Sequence, residues 1–403
     1  MRILVLAPHP FFIVRGTPID VDLVLRVLSA RPDTEIDLIV YGQGEDREYP
    51  RTTLHRVGNA KWMRPTRPGF TIQKVLSTAA MFVSAWGLVR RRRYDVIHAG
   101  EDAVFLAMFF HRFHGVPYTY DIDSSIAEQL TEQMPYLSAL GAFFGIFERA
   151  AMRGALVTLP VCNSLADLCR RNGARKIVTL HDISQLAEPG RPKTGSLARE
   201  IGSDRLVLLY VGNLERYQGI DLLLEGFAVA APRVDTIDLV IIGGRDDHIR
   251  AYREKAAALG IAHRTHFLGP RPFDQLDTYL AEADVLTAPR VQGRNTPMKI
   301  FPYLHSGRPV LVTDLPTHSQ ILTPAVAYLA KPTPEAFGAA IEELARDGEM
   351  RARLAKAGVE FIEGNHTWAA HRARLDGTYD WIAEQIAPAR GDGARTRGSS
   401  ASA

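Results

Sequence analysis

The sequence is poor in cysteine, in long apolar runs and in charge of one sign. Only two cysteines occur in 403 residues, Cys162 and Cys169. Two thiols build no disulfide framework, which excludes a small secreted, disulfide-stapled scaffold. The pair fits a reducing compartment as two small buried side chains. The formal net charge is only +3, which argues against a protein that seeks nucleic acid or another polyanion with its whole surface. The opening residues MRILVLAPHPFF lack the charged, apolar and small-residue zones of a secretory leader and read as a first strand. The longest charge-free apolar stretch, residues 75–89, is shorter than the roughly 20 residues of a spanning helix. No transmembrane helix is expected.

What is present is globular. Hydrophobic residues make up 46% of the chain and charged residues 23%, and the length calls for two domains. Apolar strand-like runs at residues 3–7, 36–41, 95–98, 117–120 and 156–161 alternate with helical segments. The pattern stops at residues 186–203, rich in proline, glycine and charge, the best linker candidate. It restarts with strand-like runs at 205–211, 237–242, 265–267, 284–288 and 310–313, and a last long helical segment covers about 367–386. The tail from residue 388 is rich in glycine, serine, alanine and arginine and is expected to be disordered. Strands alternating with helices predict α/β architecture: two parallel sheets, each covered on both faces, facing a central cleft. Ligands of such sheets bind at the carboxyl ends of the strands.

Three stretches then carry a resemblance: LLYVGNLERYQGIDLLLEGFA at 208–228, DLVIIGG at 238–244 followed by HFLG, and ADVLTAPRVQGRNTPMKIFPYLHSGRPVLVTDLPTH at 283–318. Together they resemble the C-terminal half of retaining, nucleotide-sugar-dependent glycosyltransferases of family 4. The segments YDVIHAGED, PYTYDIDSS and residues 147–182 agree with the N-terminal half of that family. The resemblance implies the GT-B fold, with two Rossmann-like domains: an acceptor-side domain over 1–188 and a donor domain over 204–363. Helix 364–387 would cross back to the first domain, and 388–403 would be the tail. It further implies a nucleotide-sugar donor, a saccharide or lipid-linked saccharide acceptor of the cell envelope, and no metal or other cofactor.

A diphosphate needs backbone N–H groups at a helix start and cations nearby. Asn295, Thr296, Pro297 and Met298 read as such a start, with Asn or Thr as cap and Pro in the first turn. Lys299 in that turn, and Arg290 just after the strand at 284–288, are the candidate catalytic cations that stabilise the leaving diphosphate. Asp123 is the candidate carboxylate near the reacting carbon, with capping of the helix that follows as its other reading. The resemblance assigns Gly16, Gly212, Asn213, Arg216, Gln218, Gly243, Gly244 and Arg294 to the donor as well. The chain departs from the family at several places. The paired glutamates would fall on Arg294 and Pro302, and the usual Arg and Lys after Val-Gly on Asn213 and Gln218, which marks a divergent subgroup. Asp121 and Asp123, two apart on a strand, share a face, but no metal is assigned to them. His98 and Glu101 are expected at a strand end, facing the cleft.

The helix at 72–89 carries an apolar stripe of Ile72, Val75, Leu76, Ala79, Phe82, Val83, Trp86 and Val89, followed by Arg90, Arg91, Arg92 and Arg93. A second apolar segment runs over 137–147. Both read either as core helices or as a surface that meets an anionic membrane. The expected location is cytoplasmic, with peripheral attachment to the inner face of the cytoplasmic membrane as the extension of that reading. The leading function is a hexosyltransferase-type glycosyltransferase that does not bind nucleic acid. A sugar-nucleotide epimerase on the same fold and an inactive nucleotide-sugar-binding scaffold stand beside it.

Overall fold

The computed structural model describes residues 1–13, 16–58, 72–127, 138–186 and 188–395. The chain forms two compact units: unit 1 is Met1–His181 with His371–Ala403, and unit 2 is Asp182–Ala370.

Unit 1 is built on strands β1 (Arg2–Pro10), β2 (Glu35–Tyr41), β3 (Thr52–Val57), β4 (Val96–Gly100), β5 (Tyr118–Ile122) and β6 (Val157–Pro160). They pair in the order β3-β2-β1-β4-β5-β6, every neighbour parallel. β4 and β5 are buried along their whole length, as strands are when helices cover both faces. Side chains alternate across the sheet. Leu4, Leu6, Ile97, Ala99, Tyr118 and Tyr120 pack with Met81, Ala85, Ala107, Phe110, Ala151 and Met152 of helices Ile72–Arg91, Val104–His114 and Ser138–Gly154. The opposite set includes His98, which meets Tyr379 of helix Trp368–Arg395.

Unit 2 repeats the scheme with β7 (Leu206–Val211), β8 (Ile237–Ile242), β9 (Thr265–Gly269), β10 (Val285–Ala288), β11 (Val310–Thr313) and β12 (Tyr328–Ala330). Their order is β12-β11-β10-β7-β8-β9. Numbered from each unit's own first strand, both sheets read 3-2-1-4-5-6, the doubly wound dinucleotide-binding order.

The ten strand-like runs of the sequence all fall on strands. β3 and β12, one edge of each sheet, carry too little apolar sequence to stand out. Helices Pro334–Arg346 and Gly348–Asn365 also went unread. The expected linker is different in kind: residues 188–203 belong to unit 2 and include helix Ser196–Ile201. Glu282 fixes this stretch by accepting from Thr194 N at 2.8 Å and Thr194 Oγ1 at 2.6 Å. The last helix does not stop near 387 but continues to Arg395, through the first half of the expected tail. Residues 396–403 lie outside the described residues, as does the start of the 137–147 segment.

The apolar stripe of helix Ile72–Arg91 divides. The helix turns Ser77, Met81 and Ala85, none of them on that stripe, to the core, while Val75, Leu76 and Val83 of the stripe are exposed. Phe82 and Trp86 lie between, in ring contact with Phe109 at 5.1 and 5.5 Å. Among the described residues no helix is long and apolar enough to cross a membrane.

Candidate active site

In unit 2 the strand order turns at β7 and β10, which are neighbours. Helices leave in opposite directions there, opening a crevice at the carboxyl ends. Gly212 and Asn213 follow β7, Gly243 and Gly244 follow β8, and the segment from Arg290 to Lys299 follows β10. Gly212 has φ +151, and a Cβ there would stand 2.5 Å from Lys299 Nζ. The glycine therefore supplies both the backbone shape and the room for the ammonium. Gly243, at φ +111, lies so close to the Gly212 carbonyl that a Cβ would collide with it. The turns are laced together by Gly212 N–H to Ile242 O at 2.9 Å and Gly243 N–H to Gly269 O at 2.7 Å.

Lys299 donates to Tyr210 Oη at 3.0 Å, and Tyr210 Oη donates onward to Asn213 O at 2.6 Å. The ammonium also sits 4.0 Å from the Tyr210 ring centroid, a cation–π contact. Among the described residues no carboxylate pairs with it. Desolvation first, then the Arg290 guanidinium, lower the Lys299 pKa to about 7. Arg290 is steadied by Nε donation to Gln292 O at 2.8 Å and lies 5.3 Å from the Tyr217 ring. Its carbonyl accepts from Thr313 Oγ1 at 2.5 Å. Buried His318 places Nδ1 3.0 Å from Thr313 O. Burial, with Arg290 and Lys299 nearby, lowers its pKa to about 3, so the ring is neutral. Two cations thus converge where, among the described residues, no acid neutralises Lys299, an arrangement suited to an anion.

The helix expected at residues 295–298 begins later. Helix Ile300–His305 has Lys299 at its N-cap and no side-chain cap bond. Thr296 is buried with Oγ1 unpartnered, so it caps nothing. Asn295, Pro297 and Met298 form the preceding loop, whose Ile300 N bonds Pro297 O at 3.0 Å. Side chains from beyond β11 hold that loop: Thr317 Oγ1 donates to Asn295 O and Gln320 Nε2 to Arg294 O, each at 2.7 Å. Pro302 is buried in the helix. Arg294, Arg216 and Asn213 are exposed, and Gln218 is buried. Asn213 Oδ1 accepts from Glu215 N at 3.2 Å and so shapes its own turn. The sequence reading missed Tyr210, Thr313, Thr317, His318 and Gln320. Only Tyr210 gave a signal, an aromatic with a polar tip two residues before Gly212.

Gly16 and Asp123 belong to unit 1. Gly16 opens helix Gly16–Ala30 with open space around it. Asp123 lies one residue past β5. The amide expected to take a cap from it, Ile126 N, bonds Glu148 Oε1 at 3.0 Å, and Ser125 Oγ bonds Glu148 Oε2 at 2.9 Å. His98 does not face a cleft. It is buried, with Nδ1 2.9 Å from Tyr379 Oη and Nε2 3.2 Å from Asp121 Oδ2. Asp121 Oδ2 is thus engaged with that histidine.

Two doubly wound units, the second with a cationic switch point, define the GT-B class. Residues 19–181 match a family model described as a glycosyl transferase 4-like domain, and residues 205–347 match one described as glycosyl transferases group 1. The chain carries both domains of a GT-B glycosyltransferase and belongs to that class of enzyme. Sucrose-phosphate synthase from Thermosynechococcus elongatus superposes with a TM-score of 0.76 at 16% identity, over 95% of this chain and 99% of that one. Anabaena Alr3699/HepE, in complex with UDP and glucose, gives 0.70 at 14% identity, over 94% and 99%. D-inositol 3-phosphate glycosyltransferase of Corynebacterium diphtheriae is 29% identical over 189 residues, 43% of this chain and 42% of that protein. That match spans less than half of the relative's length.

Proposed function

We propose that the chain transfers a sugar from a nucleoside-diphosphate sugar to a saccharide or lipid-linked saccharide, with retention of anomeric configuration and without a metal. The observation that carries this reading is the Lys299 ammonium against Gly212, beside Arg290, at the switch point of unit 2. Charge develops on the leaving diphosphate as the glycosidic bond breaks. Preorganised cations in a desolvated place are worth several kcal/mol to such a transition state. Lys299 and Arg290 take that role, with exposed Arg216 as an additional cation. The Gly212 and Gly243–Gly244 turns let the donor approach the backbone, Asn213 and Gln218 offer neutral contacts, and the loop at 294–298 closes over the donor. Asp123 is assigned to the acceptor side. The departing phosphate itself takes the acceptor's proton, so no strong protein base is required. The complex of Alr3699/HepE with UDP and glucose supports a nucleotide-sugar donor for this fold. Calorimetry with a panel of nucleoside diphosphates tests the reading. Tight binding of one of them, weakened about tenfold or more in both Lys299→Ala and Arg290→Ala, is expected. Equal affinity in both variants overturns the site. Slow donor hydrolysis separates a transferase from an epimerase or an inactive scaffold.

The same reading brings unit 1 to an anionic membrane from the cytoplasmic side. Val83, Phe113, Ile146 and Phe147 are exposed on three helices that cover one face of its sheet. Trp86, Phe109 and Phe113 form a continuous run of rings at 5.5 and 4.5 Å. Arg90, Arg91 and Arg93 border it, whereas Arg92 is bonded to Asp37 at 3.1 Å. Basic residues at such a rim contribute about 1 kcal/mol each. Flotation with phosphatidylglycerol vesicles, lost on neutralising these three arginines, is the expected result.

A further inference from the structure

Two residues of unit 2, Thr313 and His318, are fully buried and touch no ligand themselves, yet their hydrogen bonds lead to one of the two crevice cations. The parallel ladder of β10 with β11 ends at Ala288 and Val312. Pro289 follows, with no amide hydrogen to extend it. Beyond it the chain leaves the sheet, and the peptide that joins Arg290 to Val291 is bonded at both ends. Its carbonyl, Arg290 O, accepts from Thr313 Oγ1 at 2.5 Å. Its amide, Val291 N, donates to Tyr217 O at 3.0 Å. In a trans peptide these two groups point in opposite directions. Thr313 ends β11 and Tyr217 lies in the turn after β7, the two strands that flank β10. One residue from beside each neighbour therefore fixes the plane of the peptide next to the Arg290 side chain.

The hydrogens of this group have defined places. Arg290 O and Thr313 O are carbonyls and only accept. The hydroxyl hydrogen of Thr313 goes to Arg290 O. His318 Nδ1 lies 3.0 Å from Thr313 O and 3.0 Å from Thr313 Oγ1, so it carries a hydrogen that the two oxygens share. A hydroxyl hydrogen otherwise rotates to suit its surroundings. Here the imidazole occupies a lone pair of Oγ1 and leaves the hydrogen aimed at Arg290 O. The ring is held in turn by the short helix Pro316–Ser319, where His318 N bonds Leu315 O at 2.8 Å. A neutral donor suits the place, because a charged one would set a third cation beside Arg290 and Lys299.

We propose that Thr313, aimed by His318, is a positioning residue for Arg290: its hydroxyl sets the 290–291 peptide and so holds the guanidinium where the donor's diphosphate binds. The guanidinium's own contacts fit this role. Its Nε donates to Gln292 O at 2.8 Å, and its Cζ lies 5.3 Å from the ring of Tyr217, the residue whose carbonyl holds the other end of the same peptide. A small rotation of that peptide swings the head of a long side chain, and a displacement of about 1 Å can cost a hundredfold in rate. The diphosphate rests on the transferase reading above; the positioning of Arg290 does not.

Titration calorimetry with UDP, and heteronuclear NMR of the Arg290 Nε–H group, test it on the full chain. Thr313→Val keeps the shape and loses the hydroxyl, whereas Thr313→Ser keeps the hydroxyl. Thr313→Val should weaken UDP about fivefold, the effect of one hydrogen bond, and Thr313→Ser should bind within about twofold of the wild type. His318→Leu should follow Thr313→Val. In an Arg290→Ala background Thr313→Val should add nothing, because no guanidinium is left to position; a substitution that merely loosened the fold would add in full. The Nε–H signal, assigned by its loss in Arg290→Lys, should exchange with solvent faster in Thr313→Val than in Thr313→Ser. The proposal is overturned if Thr313→Val binds UDP like the wild type while Arg290→Ala does not, if its loss repeats in the Arg290→Ala background, or if the two exchange rates are equal. Wild-type affinity in Arg290→Ala counts against the donor reading alone, and the exchange comparison then decides the positioning. Should Thr313→Val fail to fold, His318→Leu supplies the same comparisons.

Discussion

At Lys299 burial and a neighbouring guanidinium push the same way, from an ordinary value of 10.5 down to about 7. Between those two values the unfolded chain holds a proton that the folded chain has released. The contribution of this group to stability therefore rises with pH across that window. Ligand binding has the opposite sign. A diphosphate is held by the protonated ammonium, so UDP affinity should fall from pH 7.5 to 9, approaching tenfold per unit. Lys299→Arg, charged throughout, should flatten the profile, and titration calorimetry across that range reads both. Gly212 sets the same site from the other side. Gly212→Ala puts a methyl 2.5 Å from Nζ and should reduce UDP binding at every pH, without the pH signature that Lys299→Arg removes.

At the scale of elements, single buried carboxylates fasten whole segments. Glu148, on helix Ser138–Gly154, takes the Ser125 hydroxyl and the Ile126 amide and so fixes the chain beyond β5. Glu148→Ala removes both of these charge-assisted hydrogen bonds and should destabilise unit 1 by about 2–4 kcal/mol, read by urea unfolding of the variant against the wild type. The same scale explains what the sequence made legible. Central parallel strands such as β4 and β8 are apolar on both faces and announce themselves. β3 and β12 each have only one neighbour, and their residues TTLHRV and YLA carry no such run. The glycines and cations around the unit 2 crevice stood out in the sequence because turns and charges leave a local trace. The partners that shape the crevice were not. Tyr210 matters only because Lys299 arrives from a different loop, and Thr317 and Gln320 act on carbonyls that sequence does not display. The false helix start at residues 295–298 has a like cause: Asn, Thr and Pro are good opening residues, but tertiary bonds from beyond β11 hold this stretch as a loop.

For the whole molecule, the decisive element is helix Trp368–Arg395. From His371 onward it belongs to unit 1, although 189 residues of unit 2 separate it from the rest of that unit. Leu375, Tyr379 and Ile382 are fully buried, and Arg31 reaches Asp376 at 2.9 Å and Asp380 at 2.5 Å. Three such apolar side chains contribute on the order of 5 kcal/mol, comparable to the whole stability of a typical domain. A chain ending at residue 370 should lose unit 1 and keep unit 2, visible in limited proteolysis as a surviving fragment near 182–370. The arrangement also orders events in time. Synthesis at roughly 5–20 residues per second delivers unit 2 complete before the last helix has left the ribosome. The half of the protein made first is the half finished last. For about 10–40 s its sheet waits without the helix that covers His98, an interval in which a chaperone has something to hold.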